Sequence, residues 1–209
     1  MSTFNMDPLS QLAEQERRKS DAVADPAPPG TSPASASSLR YTATTDRRTA
    51  NLASFLQKTQ AADPAGAEQL KALFASGDIV ALMEEELSKV GLHTTNLADA
   101  YTVWWINCWS AVHADFSTPD RATIDAVKAQ AARALLAGGK TAETSDALKQ
   151  QFAEAMLVQA LLLDAALQQA KGNPAQLKLL ATAANTGAMG MGLDMRSMVL
   201  TSSGFVPRT

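Results

Sequence analysis

The chain has 209 residues, 18 of them basic and 21 acidic for a net charge of -3, and 46% are hydrophobic. This excludes a basic stripe able to neutralise a row of phosphates, so nucleic acid is not an expected partner. A single cysteine, Cys108, excludes an intramolecular disulfide. A folded body of about 170 residues buries roughly 70% of its extended surface and needs neither staple nor metal to be stable.

At the N-terminus, Leu9, Leu12 and Ala13 with the charged run Glu14 to Lys19 form at most a short fluctuating helix. Residues 20–38 carry Pro26, Pro28, Pro29 and Pro33 among Ser, Ala and Thr. Such a stretch has little apolar surface to offset ordering entropy, so 1–38 is read as a disordered, low-complexity tail and 39–209 as the folded domain. Met1 to Leu9 lacks the apolar core of a classical signal peptide, since Asn5 and Asp7 interrupt it. Localisation is therefore left as cytoplasmic or reached by a non-classical export route.

From residue 39 onward the apolar residues recur with helical spacing. Asp46 or Thr45 is the expected cap of a first helix whose Leu52, Phe55 and Leu56 face inward, with Arg48 and Lys58 outside. Asp63-Pro64 opens the next, where a proline at the first helical position loses no hydrogen bond. Asp78 caps a third, ended by Gly91. In this third helix Glu84 and Glu85 are expected to face solvent and Glu86 to lie at the boundary. Residues 97–114 form the central helix, with Leu97, Tyr101, Trp104, Trp105, Cys108 and Val112 giving an aromatic face. Thr118-Pro119-Asp120 starts a further helix, with Thr118 as its cap, and Gly138-Gly139 stops it.

Ser145 or Thr144 opens a long helix to about residue 171, packed against the central one, and Asn173-Pro174 opens the last. Gly187 and Gly190 either let helices approach closely or break this last helix. Residues 193–205 read as a loop or docked arm, within which Met198 to Thr201 is a weak strand candidate. The expected architecture is all-α, a single compact bundle of about six helices. No apolar run reaches the length of a membrane span; the longest, Met156 to Leu167, is broken by Gln159 and Asp164.

Several blocks resemble a bacterial family of unknown function. They are Leu39-Arg40-Tyr41, AADPAGAEQLKALFAS at 61–76, LADAYTVWWINCW at 97–109, VKAQAARALL at 127–136, FAEAMLVQALLLDAALQQAKGNPAQL at 152–177, and MGLD and GFVP near the C-terminus. The resemblance implies a helical fold and a bacterial source, and it carries no activity, cofactor or catalytic residue. Relatives commonly begin with an apolar leader, from which the first residues of this chain depart.

The residues able to carry chemistry read mostly as structural. His93 and His113 lie at opposite ends of the aromatic helix, about 30 Å apart at 1.5 Å per residue, and cannot share a metal. Cys108 sits among aromatics as a small hydrophobe, with no adjacent base to activate it. Asp99 and Glu154 fall inside helices and are expected to pair with Arg or Lys from neighbours. Met189, Met191, Met195 and Met198 supply soft ligands, but irregularly spaced, so core filling is favoured over a copper site. No catalytic residue, metal ligand or cofactor is therefore assigned.

The aromatic helix is the expected binding element. Tyr101, Trp104, Trp105, Asn107 and Trp109 are the candidate ligand or partner contacts, because Trp and Tyr combine apolar area with a polar handle. The favoured function is a non-enzymatic interaction or scaffold module that meets a protein partner through an apolar helical surface. The alternatives are a small-molecule-binding or enzymatic domain with a pocket beside the aromatic helix, or a secreted effector.

Overall fold

The computed structural model describes residues 36–137 and 144–208. Of the expected tail, 1–38, residues 1–35 lie outside the described residues, as does the stop at Gly138-Gly139, whereas 36–38 are ordered in a 3-10 turn. A 3-10 turn, Ala36–Leu39, buries Leu39 and leads into seven helices. These are α1 (Thr45–Ala62), α2 (Pro64–Ala75), α3 (Ile79–Lys89), α4 (Leu97–His113), α5 (Arg121–Ala137), α6 (Asp146–Ala170) and α7 (Pro174–Gly190). Two short strands follow, β1 (Met198–Thr201) and β2 (Gly204–Pro207), paired antiparallel with Leu200 opposite Phe205. The described fold is thus mostly helical, with seven helices in place of about six, and the hairpin corrects the all-α expectation.

Most helix starts follow from side chains that satisfy orphan backbone N–H groups. Asp63, Asp78, Ser145 and Asn173 each accept from the first turn of the helix they precede. Two caps differ from expectation. Thr44, not Thr45 or Asp46, caps α1 by accepting from the Arg47 N–H. Asp120, not Thr118, caps α5: its Oδ1 accepts from the Thr123 N–H at 2.8 Å. A carboxylate at the positive helix end gains charge as well as a hydrogen bond, which explains why the cap falls two residues later.

The core is built around α4, which lies against α6, α7 and α5. Ala184, Gly187 and Ala188 are buried on the inner side of α7. Their small side chains let that helix come close to α4, and α7 continues through Gly187 to Gly190 without breaking. A smaller core joins Leu70, Ile79 and Val80 to Val158 of α6. The long helix α6 therefore serves both cores, with Met156 and Leu157 turned to one and Val158 to the other.

The hairpin is held by tertiary contacts as well as by its own ladder. The Gln130 side-chain amide donates to the Phe205 carbonyl and accepts from the Phe205 N–H, both at 2.8 Å, in the manner of a neighbouring strand. Gly204 adopts φ +91°, and an added Cβ there would lie 2.4 Å from Gln130 Oε1. Only glycine meets both the turn and the clamp. Four-residue strands with no clean alternation leave little periodic signal, so the sequence shows the hairpin only as the weak candidate at Met198 to Thr201.

Candidate functional site

The five aromatic-helix candidates fall into two groups. Trp104 and Trp105 are buried in the main core. Tyr101 packs edge-on against Trp105 with ring centroids 6.2 Å apart, and Phe205 of the hairpin closes the other side of Trp105 at 6.5 Å. Burial pushes the Tyr101 hydroxyl up to about 12. Trp109 and Asn107 are half-buried. Trp109 Nε1 donates to the Met198 carbonyl at 3.1 Å, and Asn107 Nδ2 donates to the Val103 carbonyl at 2.9 Å. The structure therefore brings Tyr101, Trp105 and Trp109 together beneath the hairpin, while Trp104 lies in the interior.

His113 is stacked on Trp109 at 4.7 Å and its Nε2 lies 2.9 Å from the Met195 carbonyl. His93 Nδ1 lies 2.8 Å from Glu84, whose second oxygen accepts from the N–H and hydroxyl of Thr94. Glu84 is thus the half-buried member of the run, whereas Glu86 is exposed and pairs with Lys89, so these two exchange the places expected of them while Glu85 faces solvent as expected. Burial alone would raise the Glu84 carboxyl; the bonds from His93 and Thr94 outweigh it and hold the group below its ordinary value. Tyr41, missed in the sequence reading, is buried and donates its hydroxyl to the Thr94 carbonyl. Cys108 is buried in the core, and desolvation pushes its thiol up, away from the reactive thiolate.

Both interior carboxylates meet cations, as their positions within helices led us to expect. Asp99 lies 2.8 Å from Lys128 and accepts from the His93 N–H at 2.9 Å. Glu154, 1% exposed, accepts from Arg48 Nε at 3.2 Å, Gln150 Nε2 at 2.8 Å and Asn51 Nδ2 at 2.7 Å. Arg48 is therefore not an outer residue of α1: it bridges Glu154 and Asp78, the latter at 2.6 Å. Gln150 also holds both the N–H and the carbonyl of Thr44, tying the start of α1 to α6. A polar residue on the inner arc of a helix was the available signal for Gln150.

Two surface features accompany this interior. A cleft runs between α1 and α6, with Asn51, Phe55 and Lys58 facing Glu154, Val158 and Gln159. On the opposite helix of the α6–α7 pair, Leu179 and Met189 of α7 are 56% and 60% exposed. With Thr182 and Thr186, also exposed, they recur at three- and four-residue intervals along one line. Each threonine hydroxyl donates to the carbonyl four residues back, at 2.9 Å, which leaves its methyl as the outward part.

Among the described residues no group of three or more His, Cys, Asp or Glu is arranged to hold a metal, and no helix is long and apolar enough to cross a membrane. The model of a family of unknown function, DUF6683, matches residues 2–208. The chain belongs to this family. The DUF6683 match spans all the blocks whose resemblance was noted in the sequence, from Leu39-Arg40-Tyr41 to GFVP. No curated protein and no solved structure matches the chain. For this DUF6683 member the functional reading consequently comes from the geometry.

Proposed function

We propose that this protein is a non-enzymatic interaction module whose docking face is the outer line of α7, and that its partner presents an amphipathic helix with an aliphatic edge and an acidic flank. The observation that carries this reading is the exposed row Leu179, Thr182, Thr186 and Met189. Spacing of this kind matches a facing helix, in the way that groove-binding helices use anchors three and four residues apart. Charge defines the partner further. The only charged residue in α7 is Lys178, and exposed Arg196 reaches within 3.5 Å of the Thr182 hydroxyl. A helix with carboxylates beside its apolar edge complements both cations.

The inner chemistry supports a scaffold role for the rest of the body. His93, His113, Asp99 and Glu154 are each engaged in fastening one chain segment to another. The aromatic helix supports the face indirectly, since α7 rests on α4. Truncating Trp104 would test folding instead of binding, so the test belongs on the exposed row.

A photo-reactive residue placed at Thr182 in the source cells should cross-link to a partner segment that folds as an acidic amphipathic helix. The double substitution L179E and M189E should abolish that cross-link while leaving helicity and melting temperature unchanged, because both positions are open to water. Cross-links that persist in the double variant, or that map only to a second copy of this chain, would overturn the assignment.

A further inference from the structure

The cleft between α1 and α6 goes beyond the interaction reading, because it holds a buried acceptor that no donor meets among the described residues. Glu154 Oε1 takes two donors, from Arg48 and Gln150, but Oε2 takes one, from Asn51. A carboxylate has about four lone-pair sites, so Oε2 retains one. Five residues further along α6, Gln159 Oε1 is buried and meets no donor among the described residues. Leaving such an oxygen unpaired costs free energy that a bound donor would recover. Asn51 gives one N–H to Glu154 and keeps its second N–H beside its amide oxygen.

Size and lining narrow the class of ligand. The cavity has a volume of about 30 Å³, room for about two water-sized groups. Its walls include Leu52, Phe55, Ala155 and Val158. A compact head with several N–H donors and one positive charge suits the floor, and a short alkyl chain suits the walls. The geometry points to a binding site for a primary alkylammonium group, with its ammonium and first carbon enclosed between Glu154 and Gln159 and the rest of its chain running outward along Phe55 and Val158. Lys58 lines the same cleft and is exposed, so its ammonium opposes entry of a second cation.

The test is titration of the full chain with n-propylammonium chloride, followed by NMR of the Asn51 and Gln159 side-chain amides, with n-propanol and potassium chloride as matched controls. Saturable shifts at millimolar propylammonium, absent with propanol and with potassium chloride, are expected. Q159L removes the orphaned oxygen without touching the Glu154 network and should weaken binding at least about tenfold, the equivalent of one good charge-assisted hydrogen bond. K58M should tighten it several-fold. Equal shifts with propanol would identify the cleft as apolar only, equal shifts with potassium chloride would identify a general cation effect, and retention of affinity in Q159L would remove the acceptor argument. Each of these results overturns the proposal. Because Leu179 and Met189 lie on α7, L179E with M189E should leave amine binding intact, so the docking face and the cleft fail separately.

Discussion

Around α4 the protein buries large rings and leaves hydrogen bonds unmade; along the α1–α6 seam it buries a charge and supplies it with several partners. The Nε1 groups of Trp104 and Trp105 meet no acceptor among the described residues. Glu154, equally buried, holds Arg48, Gln150 and Asn51. Magnitudes explain the contrast. An indole buries about 200 Å², worth about 5 kcal/mol at 25 cal/mol per Å², whereas an unpaired neutral N–H costs about 1–3 kcal/mol. Packing therefore outweighs the lost bond at the tryptophans. An unpaired carboxylate costs far more than any side chain's packing can offset, so Glu154 must be met by polar partners even beside the apolar side chains of the same seam.

The largest expected effect tests the apolar half of this contrast. Trp104→Ala should destabilise the fold by about 3–5 kcal/mol through lost transfer energy and the cavity left behind. Trp104→Phe should cost less than the lost area implies, since it also removes the unpaired N–H. Urea denaturation of the two variants measures both. A cost below about 1 kcal/mol for the alanine variant would show that neighbouring helices collapse into the space, and that the aromatic centre is not the keystone of the core.

The polar half predicts a smaller loss with a different signature. Glu154→Ala should cost about 3 kcal/mol, because it strands the donors of Gln150 and Asn51 and leaves Arg48 with Asp78 as its remaining carboxylate. Glu154→Gln keeps the shape and part of the bonding and should cost about 1–2 kcal/mol. If the two variants prove equally unstable, the charge itself and not the hydrogen-bond geometry holds the seam. Comparison of their denaturation midpoints decides the matter.

These two regions were unequally legible in the sequence. The aromatic helix shows itself by ring spacing, and its bounds, Leu97–His113, fall within a residue of those read from periodicity. The caps at Asp63, Asp78, Ser145 and Asn173 were equally plain, because capping is a local bond between near neighbours. What escaped was long-range and polar. Arg48 reads as an outer residue of α1, since helical position alone does not reveal a carboxylate 106 positions away. Gln130 and Gln150 act as surrogate backbone partners for Phe205 and Thr44, a role that exists only once distant segments meet. Trp104 and Trp105 illustrate the converse limit: the sequence identifies where the rings concentrate, but burial under α6, α7 and the hairpin is a tertiary outcome. The exposed row on α7 is obscured because its two threonines read as polar until their hydroxyls are seen to be spent on the helix itself.

The smallest effect is a pH effect, and it extends the contrast to a carboxylate at the surface. Glu84 is held below its ordinary pKa: burial raises it, and the bonds from His93 and Thr94 more than reverse that. A depressed folded pKa means that the folded state prefers the ionised form more strongly than the unfolded chain does. The resulting stabilisation is complete above the unfolded value, about 4.3 for glutamate, and is lost as pH falls through the lower folded value. The side chain is 38% exposed, so solvent screens the contribution and it stays modest. Melting temperatures recorded between about pH 6 and about pH 3 should fall more steeply for the wild type than for Glu84→Gln, with the two curves converging at the acid end. Asp78, also held low, titrates in the same window in both proteins and cancels in the difference. Parallel curves would mean that Glu84 binds Thr94 equally well without its charge. Surface carboxylates here would then resemble the indoles, positioned by packing, rather than Glu154, positioned by its partners.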